Sequence, residues 1–557
     1  MTQNNHHDAD TELGSMAISG LTSEGGPSKA QQLADSLRHR PGAVFYISIG
    51  LILAFVAWAG LSPETLGGAM TSAMNWASET VGWAYLLVGF GCIVLLIYLA
   101  ASRFGRIRLG SDDDRPEHST WAWIAMIVSA VMGIGLISYG VAEPITHFFA
   151  PPHGLAEPGT VEAAVRAMQF SYFDWGPHAW AIFGVFGLAI AYSTHRKGNT
   201  GLISPMLRPV LGKLVDGWVG KFIDVFAIIA TLFGTTTSLG LGAAQISEGL
   251  NRIMGIPTDL FVQIVIIAVI TVLFTLSALS GVNRGIKYIS QFTMLLSIGI
   301  GIYVFFTGPS NFITNLFVRS IGQYSSDFLQ VSLITPLTDE GSQWMQWWTY
   351  FMMAWWLSWG AFVGVFLAKI SRGRTIREFV LGVMVVPSIV FFLWFTIFGG
   401  TAIRLDMAGV SNIGAAAAND INSAFFEMLA QLPLVEITSV IAVILVVLFF
   451  VSGADANTFV LGMLSTRGTL NPTRTVLSIW GVLTGVCAAL LLVVGGLAAL
   501  QQAAMLSALP FTVIVALLGY SLIKQLREDP HFDHTKGVHR EDLATAALRV
   551  PSRALRP

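Results

Sequence analysis

Charged side chains are scarce in this sequence: they make up only 11% of the 557 residues, whereas hydrophobic residues make up 54%. A soluble globular domain carries about 25% charged residues, so the composition excludes that class. The net charge of −2 provides no basic surface, which excludes nucleic-acid binding. Only two cysteines occur, Cys92 and Cys487, and both lie inside apolar runs. They are expected to pack there and to form neither a disulfide nor a metal site.

The first 40 residues also lack a positively charged segment that leads into an apolar core, so they do not resemble a signal peptide. They are polar and rich in glycine, serine and aspartate, which predicts a disordered cytoplasmic tail. The segment from Lys524 onward has 7 basic residues, 5 acidic residues and three prolines. This composition predicts a solvated C-terminal tail over 527–557, without the strongly basic helix that binds anionic lipid.

Apolar runs of about 20 residues, the length that crosses a bilayer, fill the rest of the chain. We predict an all-α integral membrane protein with twelve transmembrane helices. The predicted spans are 43–61, 83–101, 121–141, 167–193, 222–244, 261–280, 288–307, 344–368, 379–398, 435–463, 476–499 and 503–522.

The distribution of lysine and arginine supports this count, because these residues collect in cytoplasmic loops. With the N-terminus inside, all 31 lie on cytoplasmic segments except Arg166, Arg252, Arg319 and Arg404. A missed or additional span would invert every later loop and destroy this asymmetry. We therefore expect both termini to be cytoplasmic.

The third predicted span contains a glycine-rich interruption that includes Gly133, Gly135 and Gly140 and is followed by Glu143 and Pro144. Unwound backbone inside a bilayer occurs only where protein or a wet cavity covers it, and it can offer carbonyls to a cation or N–H groups to a carboxylate. Alternatively, the glycines only allow two helices to approach closely. The residues of this span leave both interpretations open.

Six of the 16 tryptophans fall between positions 344 and 359. The first three, at 344, 347 and 348, fit an interfacial belt, whereas Trp355, Trp356 and Trp359 lie deeper and favour a ligand site. The fourth span adds Trp175, Trp180 and Phe183 near a Gly-Pro irregularity. Several aromatic faces in a membrane cavity favour binding of a trimethylammonium group, which ring quadrupoles attract.

Ionisable residues within the predicted spans are few, and each is a candidate for function. Asp455 follows a Ser-Gly pair in the tenth span. It either borders an ion path or organises packing through hydrogen bonds. Asp174 and His178 are candidates for proton handling, although a hydrogen-bonded structural role is the commoner one for such a histidine.

Several motifs resemble the betaine/choline/carnitine transporter (BCCT) family over residues 41–526. Trp348-Thr349 leads to Trp355-Trp356-Leu357-Ser358-Trp359, as in the family signature. The segments 362–374, 140–144 and 233–242 are also similar to that family.

The resemblance implies two peripheral helices followed by two inverted five-helix repeats of the LeuT type, at about 121–308 and 344–525. It implies a homotrimer in the bacterial inner membrane that is not an enzyme, needs no cofactor and imports a betaine-type solute by alternating access with sodium. Alternatives are a sodium-independent or proton-coupled transporter or exchanger of choline, carnitine, ectoine or a sulfonium solute, and a membrane channel.

The resemblance also implies the site residues. The substrate box consists of Trp175, Trp180, Phe183, Trp356 and Trp359, with the backbone of Met132, Gly133, Ile134 and Gly135 near the carboxylate. Phe362 resembles a position that lines the cytoplasmic exit. The expected sodium ligands are Ser129, Met132, Phe449, Ser452 and Gly453. The sequence departs from the family pattern at Val131, Phe183 and Gly453, and a glycine in place of a hydroxyl residue weakens the expected sodium site because hard cations prefer oxygen ligands.

Overall fold

The computed structural model describes residues 41–131, 133–280 and 283–531, and within these ranges the regular structure is helical. The side chains of residues 129–131, 134 and 283–290 lie outside the description. An isolated β-bridge joins Arg108 and Thr375 at the ends of two helices. The predicted N-terminal tail and residues 532–557 also lie outside the described residues.

Twenty α-helices are numbered here in chain order. They are α1 Ala43–Leu61, α2 Pro63–Ala101, α3 Thr120–Val131, α4 Ile134–Phe149, α5 Val161–Trp175, α6 Pro177–Ala191, α7 Ile203–Met206, α8 Arg208–Leu211, α9 Trp218–Met254, α10 Leu260–Ser280, α11 Asn283–Thr307, α12 Ser310–Ser326, α13 Phe328–Ser332, α14 Asp339–Met345, α15 Phe351–Ile370, α16 Ile376–Met407, α17 Ile413–Asn419, α18 Ser423–Ala430, α19 Val435–Ser465 and α20 Arg474–Arg527. A π-helical turn, Gln346–Tyr350, joins α14 to α15, and another, Tyr192–Arg196, follows α6.

Eight helical segments in the described ranges are long and apolar enough to cross a membrane, and a ninth is obtained if α11 and α12, bent by 109°, count as one span. This confirms a multi-pass helical membrane protein. The third and fourth predicted spans do not qualify as single helices because each is broken at a glycine, Gly133 or Gly176. The 54-residue α20 contains two predicted spans and is kinked at Gly495 and Gly496. The count of twelve crossings stays a prediction.

The second predicted span begins twenty residues earlier than expected, because α2 starts at Pro63. Its first half mixes polar and apolar residues, which lowers its hydropathy. Leu66, Met70, Met74 and Ala77 nevertheless recur at helical spacing and are buried. The predicted start of this helix at residue 83 is therefore wrong, and tertiary packing supports the additional half-helix.

Two glycines bring α15 close to α6. A Cβ atom on Gly360 would overlap the Phe186 ring, and one on Gly364 would lie 2.7 Å from the Phe186 Cβ. Small residues at a membrane helix interface permit this backbone approach. The contact places Trp356 of α15 beside Phe183 of α6.

Candidate functional site

The interruption predicted in the third span is present at Gly133, which has extended backbone angles of φ −131° and ψ −174°. The packing interpretation also applies nearby. A Cβ on Gly135 would overlap the Trp175 ring, and one on Gly140 would lie 2.7 Å from Trp394 Nε1. Met132 lies outside the described residues, as do the side chains of Ser129 and Ile134. The helix therefore breaks at Gly133, while Gly135 and Gly140 admit indole rings.

A second break lies at Gly176, between α5 and α6. A Cβ there would overlap the Tyr172 carbonyl oxygen and lie 2.6 Å from the Phe392 ring. Pro177 then starts α6, a position where its missing N–H costs no hydrogen bond. This break places Trp175 at the end of one helix and Trp180 at the start of the next.

The four aromatic residues predicted to form the centre of the box are brought together. The ring centroids of Trp175 and Trp356 are 4.9 Å apart, those of Phe183 and Trp356 are 5.9 Å apart, and those of Trp180 and Phe183 are 5.8 Å apart, all edge to face. Each of these residues is at most 5% exposed. We call Trp175, Trp180, Phe183 and Trp356 the aromatic box.

The remaining predicted residues of α15 lie beside the box. The centroid of Trp359 is 6.0 Å from that of Trp355 and 5.7 Å from that of Phe362. Within the described part of the chain, the Trp359 Nε1–H has no hydrogen-bond partner although it is buried. Trp359 and Phe362 thus continue the aromatic surface from the box along α15 toward its C-terminal end.

Sequence reasoning missed two phenylalanines of α16. Phe391 stacks on Trp175 at 5.8 Å with an interplanar angle of 22° and meets Trp180 edge-on at 5.9 Å. Phe395 lies 5.2 Å from Trp175. Phenylalanine recurs at 391, 395 and 398 on one helix face, and this pattern could have indicated the contact. It does not differ from the apolar face of a helix that contacts lipid.

Hydrogen bonds from the indole groups fix three tryptophans. Trp356 Nε1 donates to the Asp174 carbonyl at 2.7 Å, and Trp355 Nε1 donates to the Gly234 carbonyl at 3.2 Å. Trp175 Nε1 donates to Glu143 Oε2 at 2.7 Å. The acceptors lie on three other helices, so the ring orientations are set before any ligand binds.

Two of the tryptophans interpreted as an interfacial belt contact buried groups. The ring of Trp344 lies 5.0 Å from His147 and 5.3 Å from Phe170, and the ring of Trp348 lies 4.6 Å from His147. Their partial burial places them against protein, which differs from the expected lipid-interface role.

The other ionisable candidates have hydrogen-bond partners. Asp455 Oδ2 accepts from the Ser277 hydroxyl at 2.6 Å, which agrees with the packing alternative for this residue. His178 Nε2 lies 2.9 Å from Ser332 Oγ, as expected of a structural histidine. The expected sodium ligands on α19 lie in continuous helix, where the Ser452 hydroxyl donates to the Phe449 carbonyl at 3.2 Å.

A cluster of three buried ionisable side chains adjoins the box and was not predicted as a unit. Glu143, His147 and Asp174 each offer one ligand atom, and these atoms lie within 4.8 Å of one another. All three residues are 0% exposed. Their chemistry suits a cation or a proton, because two carboxylates and an imidazole are all acceptors when deprotonated.

Comparison with known proteins identifies relatives that are membrane transporters. The model of the BCCT family, described as betaine/carnitine/choline family transporter, matches residues 43–531. The glycine betaine transporter OpuD of Bacillus subtilis is 45% identical over 87% of this chain and 94% of its own length. The ectoine/hydroxyectoine transporter of Virgibacillus pantothenticus is 40% identical over 87% of this chain and 96% of its own.

A third relative is named for both betaine and ectoine. The betaine/ectoine transporter LcoP of Corynebacterium glutamicum is 38% identical over 89% of this chain and 80% of its own length. The relatives are named as transporters and the family match covers nearly all of the described helices. The chain therefore belongs to the betaine/carnitine/choline transporter family, and it is a membrane transporter and not an enzyme.

Proposed function

We propose that this protein imports a quaternary-ammonium solute of the betaine type by alternating access. The observation that carries the proposal is the convergence of the four rings of the aromatic box from α5, α6 and α15. A trimethylammonium head has no hydrogen to donate, and each ring face attracts it with about 0.5–2 kcal/mol. The names of two relatives, a glycine betaine transporter and a betaine/ectoine transporter, support the same solute class.

The carboxylate end of such a solute has a candidate partner in the break at Gly133. The first N–H groups of α4 have no acceptor within their own helix, and helix N-termini attract anions. Gly135 lies against Trp175, so this backbone adjoins the aromatic box. Glycine betaine, with one methylene carbon between its charged ends, is short enough to contact both.

The closed packing of the box supports alternating access. Trp356 contacts both Trp175 and Phe183 edge to face, and all three are buried. A solute has to displace at least one ring to enter. Binding is therefore linked to a movement of α5, α6 or α15, as a carrier requires.

Replacing Trp356 with leucine tests the solute site. Loss of one ring should lower the affinity for glycine betaine by about 2-fold to 30-fold, the range that corresponds to about 0.5–2 kcal/mol. Binding is measured by tryptophan fluorescence on purified protein, and uptake is measured with labelled glycine betaine in proteoliposomes. Trp76→Leu is the matched control, because Trp76 is 59% exposed on α2. Unchanged binding and uptake in W356L would contradict the proposal.

We further propose that sodium drives uptake, bound by Ser129, Met132, Phe449, Ser452 and Gly453 as the family resemblance implies. Among the described residues, no atom lies within 4 Å of a Cβ built on Gly453, which leaves room for a water ligand. Replacing external sodium with potassium should reduce the initial rate of uptake at least tenfold. Equal rates in the two buffers would reject sodium coupling and leave the solute assignment intact.

A further inference from the structure

The Glu143–His147–Asp174 cluster lies directly behind the aromatic box. Glu143 and His147 are one turn apart on α4, and Asp174 precedes the box residue Trp175. The Trp175 indole donates to Glu143, and the Asp174 backbone carbonyl accepts from Trp356. Two rings of the box are thus held by residues of this cluster.

The polar atoms of the cluster are largely unpartnered. In the described part of the chain, neither ring nitrogen of His147 has a hydrogen-bond partner, and neither carboxylate oxygen of Asp174 makes a well-formed hydrogen bond, although the Thr349 hydroxyl approaches Asp174 and all these atoms are buried. Glu143 Oε1 lies 3.9 Å from His147 Nε2, beyond hydrogen-bond length. Buried polar atoms in this state normally bind an additional group.

The neighbours of the cluster in the described ranges are uncharged aromatic and hydroxyl groups. Tyr139 on α4 faces Glu143, and Tyr324 on α12 faces Asp174; the Thr349 hydroxyl of the π-helical turn also faces Asp174. The other groups against the cluster include the indole rings of Trp344 and Trp348, which do not titrate. Over the described ranges, no lysine or arginine forms an ion pair with Glu143 or Asp174.

Charge balance therefore requires a cation in the cluster. Without bound protons the two carboxylates carry two negative charges, and two carboxylates that share a buried site do not both ionise. These three groups suit a proton better than a sodium ion. Hard metal cations prefer oxygen ligands, and one of the three groups is an imidazole. An imidazole binds a proton near neutral pH, and one of two carboxylates that share a buried site keeps its proton to higher pH than an isolated carboxylate does.

We propose that this cluster is a proton-exchange site that releases a proton when an onium head enters the aromatic box. The inference rests on the proposed function and concerns the same site. When Glu143 is ionised, its negative charge lies at the Trp175 N–H and strengthens the attraction of that ring face for a cation. The bound onium charge in turn stabilises the ionised carboxylate. One carboxyl O–H bond breaks, its electron pair stays on oxygen, and the proton passes to the solvent.

Proton release fixes the direction in which pH changes the affinity for the onium. If binding releases a proton, the affinity for the onium rises with pH by up to about tenfold per pH unit in the range where the cluster titrates. Tetramethylammonium, which has no carboxylate, isolates this effect from recognition of the carboxylate end. Glycine betaine should show the same dependence, because it presents the same head to the rings.

Wild-type protein in detergent provides the first test. Tetramethylammonium and glycine betaine are titrated from pH 5 to pH 8.5 while tryptophan fluorescence reports binding and a pH indicator in weak buffer reports proton release. We expect affinity to rise with pH and release to approach one proton per bound onium. Betaine binding of constant affinity without proton release would overturn the proton site alone. Absence of binding at every pH would overturn the proposed function as well.

Substitutions of the two carboxylates test whether the released proton comes from the cluster. Glu143→Gln and Asp174→Asn should each bind tetramethylammonium at least threefold more weakly and lose most of the proton release. Glu162→Gln is the matched control, because Glu162 is a half-exposed acid of α5 that pairs with Arg166 and Arg319. Full proton release in both cluster variants would overturn the assignment. If neither variant folds, the wild-type titration decides.

The same titration in sodium and in potassium buffer separates a proton from a metal cation. Equal proton release in both buffers is expected. Release that occurs only in potassium would show that sodium occupies the cluster and would overturn the proton assignment.

Discussion

At the scale of single residues, hydrogen bonds from the indole N–H groups hold Trp175 and Trp356 of the aromatic box in place, and the ring faces remain apolar. The N–H groups of Trp175, Trp355 and Trp356 each use their one donor on an acceptor in another helix. Such anchoring reduces the rotamer freedom that a ligand would otherwise have to remove, which favours affinity through preorganisation. Substitutions that move a ring without removing it should therefore weaken binding.

Gly135→Ala tests this expectation. The added methyl group would overlap the Trp175 ring and force it to move, so we expect at least tenfold weaker glycine betaine binding by tryptophan fluorescence. Overpacking of this kind also costs about 1–3 kcal/mol of stability. Gly50→Ala on α1 is the control, because no atom of the described residues lies within 4 Å of its Cβ position. Normal affinity in G135A would show that the position of Trp175 does not matter for binding.

The sequence predicted the four box residues but not the groups that support them. Trp175, Trp180 and Phe183 were recognisable because indoles and glycine-proline breaks are unusual deep in a span. Phe391 and Glu143 were not, since a phenylalanine in an apolar helix looks like any lipid-facing residue. A glutamate before a proline gives no sign of which indole it will meet, because contacts between helices depend on packing that periodicity does not encode.

At the scale of elements, the start of the predicted solvated C-terminal tail is docked at the end of α20. Asp529 is 2% exposed and accepts hydrogen bonds from the Tyr192 hydroxyl at 2.6 Å and from the Arg196 guanidinium, with both nitrogen–oxygen distances 2.6 Å. Arg196 also donates to Asp112 at 2.9 Å. The expectation of a freely solvated tail is therefore wrong at Asp529, which ties α20 to the segment after α6.

This ion pair should make stability depend on pH. Burial raises the pKa of Asp529, but hydrogen bonds from Arg196 and Tyr192 lower it more, so the pKa lies below the ordinary value of 3.8. Because the folded-state pKa is depressed, the stabilisation is present above pH 3.8 and is lost as pH falls through the folded-state value.

Asp529→Asn should accordingly lower the melting temperature at pH 7, by an amount that corresponds to about 1–3 kcal/mol for a lost hydrogen bond to a charged group. The difference from wild type should shrink as the pH is lowered below 3.8, and thermal-shift assays in detergent measure both values. Asp216→Asn is the control, since its pair with Arg208 is half-exposed and worth little. A difference that persists unchanged in acid would contradict the role of the Asp529 charge.

At the scale of the whole molecule, large apolar side chains cover the outside of the helices. Trp121 is 84% exposed, Phe306 is 75% exposed and Phe261 is 73% exposed, as expected of surfaces that face lipid. Length and hydropathy located most helices correctly, and α1 has the predicted bounds. The sequence did not reveal α12 to α14 or the early start of α2, because amphipathic helices that lie against protein lack a long apolar run.

The predicted topology has a direct test. We expect both termini to be cytoplasmic in the bacterial inner membrane, because all but four of the 31 lysines and arginines fall on the segments predicted to lie inside. Fluorescent-protein fusions after Pro557 should therefore fluoresce, and alkaline phosphatase fusions at the same site should be inactive. An active phosphatase fusion would reject the count of twelve spans. Fusions in the predicted outer segment 408–412, which follows α16, should give the opposite result.

The kink in α20 has a mechanical consequence. Its two halves are joined by Gly495 and Gly496 without an intervening loop, and Gly496 has a positive φ of 62°. A tilt of one half relative to the other must be absorbed by torsions of these two residues, because no slack chain is present between them. In the proposed alternating-access cycle, a change in the angle between the two halves of α20 would therefore act on the backbone torsions of Gly495 and Gly496.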